Sequence, residues 1–107
     1  MILFFGNPKT KVYAVQTNSE LSKEDTSKLV WLFGDQPKID SASIDAFFIG
    51  PRAAMITPWS TNAVEITQNM DIRGIIRIEE FLSCSSDTTD FDVMLSQKFN
   101  SLNQSIF

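Results

Sequence analysis

The chain has 107 residues, 43% of them hydrophobic, and a net charge of −4, enough for one domain that buries roughly 60 to 70% of its unfolded surface. An isoelectric point near 4.6 argues against binding driven by phosphate contacts, which draws its affinity from clustered Lys and Arg. The absence of histidine removes the Ser-His-Asp triad, the Cys-His pair and every His-containing zinc site from the available chemistry.

The first five residues are apolar, but they carry no positive flank and reach a Gly-Asn-Pro turn at once, too short for a signal peptide or a membrane span. They read as a strand over residues 2–5, followed by a turn at Gly6, Asn7, Pro8 and Lys9 and a second strand over residues 11–16. In that strand Val12 and Ala14 face one way, Tyr13 and Val15 the other. Ser22 with Asp25 three residues later is a helix-start signal. The helix is expected to run to Phe33, with Gly34 as its stop.

The polar linker 35–41 holds Pro37, which blocks helix continuation. A third strand is expected over residues 43–49, broken by Gly50 and Pro51, and a short fourth over 55–57. Pro58, Trp59 and Ser60 open a second helix, with Ser60 as its expected cap, continuing to Met70. At 100° per residue Ala63, Ile66, Thr67 and Met70 form one stripe, the expected core side, while Asn62, Glu65 and Asn69 cluster opposite.

After Gly74 a fifth strand over residues 75–82 carries Ile76 and Ile78 on one face and Arg77, Glu79 and Phe81 on the other. A Ser-, Asp- and Thr-rich loop spans 83–90 and contains the lone Cys84, which has no visible activating base. Phe91, Leu95, Phe99, Leu102 and Ile106 recur at helical spacing, so a third helix is expected over 91–107. That stripe reaches the last residue, which suggests a fragment of a longer chain.

The order of elements predicts an α+β fold: two ferredoxin-like strand-helix-strand units, a mostly antiparallel sheet, helices on one face and a C-terminal helix. A parallel doubly wound sheet is the weaker alternative, because strands three and four are joined by too few residues for a crossover. The first helix is apolar all round at Leu29, Val30, Trp31, Leu32 and Phe33, so it is either covered by the linker and tail or offers a docking surface.

Other singled-out residues each carry two readings. Asn62, Glu65 and Asn69 form a solvated face or, because two amides stand where Lys or Arg would be the usual choice, a contact to another domain. Trp59 beside Pro58 suits a core or hinge anchor better than a base-stacking platform, having no basic neighbours. Arg52 after Gly50 and Pro51 could meet a phosphate, yet it lacks a glycine-rich loop or helix start and equally fits a surface salt link. Glu79 and Glu80 are adjacent on a strand and point to opposite sides, so they are no carboxylate pair.

Taken together, Gly50, Pro51 and Arg52 followed by the run from Met55 to Asn69 (Met-Ile-Thr-Pro-Trp-Ser-Thr-Asn-Ala-Val-Glu-Ile-Thr-Gln-Asn) resemble the N-terminal domain of large, single-chain phosphoribosylformylglycinamidine synthases. The likeness extends through Phe4 to Pro8, Val12 to Thr17, Arg77 to Phe81 and Leu102 to Gln104. It implies a PurS-like domain over residues 1–107 of a cytoplasmic, purine-biosynthetic ligase with glutamine amidotransferase activity. That enzyme makes formylglycinamidine ribonucleotide from formylglycinamide ribonucleotide, using ATP, magnesium and ammonia from a glutaminase domain.

The family's glutaminase requires a Cys nucleophile with a His base, and its ATP site lies in a larger downstream domain. The chain is therefore expected to be non-catalytic alone, with no catalytic, cofactor or metal residues, and Cys84 is not carried over as the nucleophile. The resemblance implies the synthase and glutaminase domains of the same polypeptide as partners; Arg52, Trp59, Asn62, Glu65 and Asn69 are the expected docking residues, chosen from the residues themselves. The isolated domain could also form a homodimer, whereas nucleic acid and membrane are not expected. A free-standing ferredoxin-like binding or oligomerisation module is the alternative, and it requires a natural stop close to Phe107.

Overall fold

The computed structural model describes residues 1–85, 87 and 96–107. Among the described residues eight elements follow one another: β1 Ile2–Asn7, β2 Lys11–Thr17, α1 Lys23–Leu32, β3 Lys38–Ile39, β4 Phe48–Pro51, α2 Pro58–Asn69, β5 Ile75–Ser83 and β6 Ser96–Phe99. The strands form one six-stranded sheet in the order β3-β1-β2-β5-β4-β6. Every pairing between them is antiparallel, which rules out the doubly wound alternative and agrees with an α+β sheet.

The β1–β2 hairpin closes at Gly6, whose φ of +117° suits glycine and whose added Cβ would strike the Lys11 carbonyl. Alternation along β2 splits its side chains as expected: Val12 and Ala14 enter one core and Val15 the other, with Tyr13 packed against that second core. Both helices lie over one face of the sheet. Leu29, Phe33 and Ala63 join Phe5, Val15, Ile72, Ile75 and Ile78 there. The opposite face is covered by the linker and the tail, where Ile44, Leu102 and Ile106 pack with Ile2, Phe4, Val12, Phe48, Phe81 and Phe99. Each large apolar side chain fully withdrawn from water on these two faces contributes about 1.5–3 kcal/mol.

Helix α1 starts where its sequence signal stands, with the Ser22 hydroxyl accepting from the Asp25 amide at 3.1 Å. It ends at Gly34, with φ +74°. The apolar residues of α1 are not covered all round: Leu29 is buried while Trp31 remains 69% exposed. The linker and tail cover the other face of the sheet and leave the outer side of α1 uncovered.

Several expectations need correction. The cap of α2 is Thr57, not Ser60: Thr57 is extended and accepts from the Ser60 amide at 3.0 Å, because Pro58 occupies the first helical position, where its missing N–H costs nothing. Residues 55–57 form no strand. Gly50 and Pro51 do not break β4 but complete it, paired with Gln97 and Ser96. Ile44 lies before that strand and makes only an isolated bridge with Leu102. The two-residue β3, which no sequence pattern marked, pairs with β1 at the sheet's edge.

Between β2 and β5 the register shifts at Gln16 and Thr17 of β2, which face Arg77 and Ile75, so Ile76 of β5 has no partner on β2. This bulge turns Ile75 and Ile78 toward the same core and leaves Ile76 50% exposed, against the expectation that Ile76 and Ile78 share a face. The expected terminal helix is also corrected. Residues 96–99 are strand β6, and Leu102 forms an antiparallel bridge with Ile44 rather than a helical turn. The remainder of that expectation, residues 91–95, lies outside the described residues.

Candidate functional site

The run from Gly50 to Asn69 does not stand alone. Two buried, oppositely charged side chains of β5, Arg77 and Glu79, organise it from beneath. The Arg77 guanidinium donates from Nε to Glu79 Oε2 at 2.9 Å and from Nη1 to the Ala53 carbonyl at 2.6 Å. Its Nη2 donates to the carbonyls of Met55 at 2.7 Å and Arg52 at 3.3 Å. A planar fork of donors is suited to collecting several acceptors at once, and here it gathers three carbonyls of the loop before α2.

Glu79 receives the amide of Thr57 on Oε2 at 3.2 Å and its hydroxyl on Oε1 at 2.7 Å. Ser60, fully buried in the first turn of α2, accepts the Ile78 amide at 3.0 Å and so pairs a β5 amide that no strand reaches. Among the described residues no buried side-chain N or O lacks a partner, as a stable buried polar network requires.

This frame fixes the start of α2, and α2 in turn shapes a cleft against the end of α1. The cleft encloses about 190 Å³ and is lined by Tyr13, Leu32, Phe33, Trp59, Asn62, Ala63 and Ile66. Its aromatic floor is ordered, with Tyr13 stacked on Phe33 at 4.4 Å between centroids and near-parallel to Trp59 at 6.1 Å. At the other end of the helix pair, Lys28 Nζ donates to the Met70 carbonyl at 3.0 Å and ties α1 to the end of α2.

The residues singled out for docking are only partly brought together. Trp59, 43% exposed, and Asn62 both line the cleft. Glu65 and Asn69 are exposed on α2 beyond it, and Arg52 is exposed at the head of the loop, where its carbonyl accepts from Arg77. Ile66, expected in the core, is instead 45% exposed at the cleft. The core side of α2 is formed by Ser60, Ala63 and Thr67. In sequence Tyr13 is a strand position and Phe33 the end of a helix, and only the packing of β2 beneath the end of α1 makes them a cleft floor.

The chain matches the family model of the formylglycinamide ribonucleotide amidotransferase N-terminal domain over residues 10–104. It belongs to that family. The matched span takes in β2 through β6, and with them the Arg77–Glu79 frame, α2 and the cleft, and it ties the amidotransferase N-terminal domain described here to purine biosynthesis. No curated protein and no solved structure matches the chain. Among the described residues of this amidotransferase domain, no group of three or more His, Cys, Asp or Glu could hold a metal ion, and no helix is long and apolar enough to cross a membrane.

Proposed function

We propose that this chain acts as the docking domain of a formylglycinamide ribonucleotide amidotransferase, presenting α2 and its cleft to the synthase and glutaminase domains of the same polypeptide. In this reading the parent is a cytoplasmic ligase that converts formylglycinamide ribonucleotide to formylglycinamidine ribonucleotide with ATP, magnesium and glutamine. The domain keeps the two active centres in register, so that ammonia released at one reaches the activated amide at the other without loss to water. ATP, magnesium and the catalytic groups belong to later parts of the parent, and the domain's own contribution is contact. The PurS-like pairing of two strand-helix-strand units belongs to the same proposal.

The observation that carries the reading is the exposed rim of the cleft. Trp59 and Ile66 leave apolar surface open to solvent beside the uncharged amide of Asn62, on a helix whose start is fixed from within by buried hydrogen bonds. Large aromatic anchors held rigidly at a contact surface are the residues that carry most binding energy in interfaces. A solvated face built only for solubility would carry Lys or Glu in place of Trp and Ile.

The test supplies the 107-residue chain in trans to a parent enzyme from which it has been removed. Restored binding and glutamine-dependent turnover support docking. A chain that stays monomeric and neither binds the remainder nor changes its turnover, or one that pairs only with itself, overturns it.

A further inference from the structure

We propose that the C-terminal segment, residues 102–107, is a strap that sets the conformation of the loop before α2 through the Arg77 guanidinium. The proposal concerns the domain itself and uses the docking reading only for its consequence.

The strap is anchored independently of the loop. Leu102 exchanges two backbone hydrogen bonds with Ile44, at 2.7 and 2.9 Å. The Gln104 amide group takes the place of a neighbouring strand for Ile2, accepting from its N–H at 2.6 Å and donating to its carbonyl at 2.8 Å, and it also donates to the Ala42 carbonyl at 2.9 Å. Ile106 is buried. These contacts deliver the Phe107 ring to the Arg77 guanidinium, whose Cζ lies over the ring 4.3 Å from its centroid.

Arg77 is thereby held by hydrogen bonds from its donors and by an aromatic ring packed against the guanidinium. The donors reach Glu79 and the three carbonyls of Arg52, Ala53 and Met55. Those carbonyls lie along the loop, where the Met55 amide also donates to the Arg52 carbonyl at 2.9 Å. The ring supplies cation–π attraction and keeps water off the guanidinium, and both effects strengthen its hydrogen bonds. If the ring leaves, water can compete for the guanidinium and the loop loses the group that gathers it.

The effect then passes along a closed path. Glu79 holds Thr57, Thr57 caps Ser60 and Ser60 holds Ile78, the residue between Arg77 and Glu79. Met55 and Ile56, 41% and 61% exposed at the loop's tip, and Trp59 in the first turn are the surface groups whose positions depend on it. A displacement of the strap on one face of the sheet is thus read out at α2 on the other. Arg77 is a positioning residue in this device.

Amide hydrogen exchange on the 107-residue chain tests the coupling. Phe107→Leu keeps an apolar side chain against the tail core but removes the aromatic face, and Phe107→Trp restores one. The expected result for Phe107→Leu is exchange about tenfold faster at the Thr57, Ser60 and Ile78 amides, with the central β2 amides of Val12 and Val15 unchanged and near-wild-type values in Phe107→Trp. Arg77→Lys, which keeps the charge and loses the fork, is expected to accelerate the same three amides. Unchanged exchange at Thr57 and Ser60 in Phe107→Leu, or acceleration spread equally to Val12 and Val15, would overturn the proposal. Because the readout lies within the domain, neither outcome depends on whether α2 docks.

Discussion

Thr57 gives both its amide and its hydroxyl to the carboxylate of Glu79, at 3.2 and 2.7 Å, while the same hydroxyl accepts from the Ser60 amide and caps α2. One threonine thus connects a buried charge in the sheet to the helix that carries the cleft. Thr57→Val keeps the shape and removes the hydroxyl, leaving the Ser60 amide uncapped and one oxygen of a buried carboxylate without its donor. The expected loss is about 1–3 kcal/mol of unfolding free energy, measured by urea denaturation. Thr57→Ser should recover most of it.

Gly50 lies directly over the fully buried ring of Phe81, where an added Cβ would collide with the ring. A ring packed on all sides cannot move aside without displacing its neighbours. Gly50→Ala is therefore expected to destabilise the domain by about 1–3 kcal/mol through overpacking, visible as a lower denaturation midpoint at an unchanged slope. A midpoint equal to wild type would mean that β4 and β5 separate more easily than their packing indicates.

The tail contributes to the core as strand and strap. Leu102 is completely buried among Ile2, Phe4, Phe48 and Phe81, so Leu102→Ala should cost about 2–5 kcal/mol. Gln104→Ala removes the three hydrogen bonds to Ile2 and Ala42 and is expected to cost about 1–3 kcal/mol. Both are read by the same denaturation experiment, and neither loss is expected if the tail only frays from the sheet.

What the sequence made legible was local and periodic. Ser22 with Asp25 marks the start of α1, Gly34 marks its end, and alternation in β2 divides Val12 and Ala14 from Val15, because each signal acts within a few residues. The bulge at Ile76 was not legible, since it depends on register against Thr17 on another strand. The tail misleads for a different reason: Phe99, Leu102 and Ile106 are spaced like a helical stripe, yet a strand followed by a bridged strap buries all three on one sheet face.

The candidate site was legible in its helix and hidden in its support. Asn62 stands out because an amide replaces the usual Lys or Arg on a polar helix face, and Trp59 because it follows Pro58 at a helix start, where it reads as a core or hinge anchor although it is 43% exposed. In sequence Arg77 and Glu79 share one face of a strand and fall within the family likeness, and nothing there pairs them with each other or with the loop. Their purpose depends on a loop some twenty residues earlier in sequence, folded back onto β5 so that its carbonyls reach the guanidinium. The cleft floor of Tyr13 and Phe33 likewise exists only once β2 and α1 are stacked.

Docking through α2 is tested most directly in the parent enzyme carrying Trp59→Ala or Asn62→Ala. Asn62 is exposed, and its substitution should change stability by no more than about 0.5 kcal/mol, so a loss of activity would report contact rather than folding. The account predicts that glutamine-dependent turnover falls on the order of tenfold for Trp59→Ala, the scale expected for an interface anchor, while turnover with free ammonia is largely retained. Equal loss of both activities, or no loss of either, would contradict it.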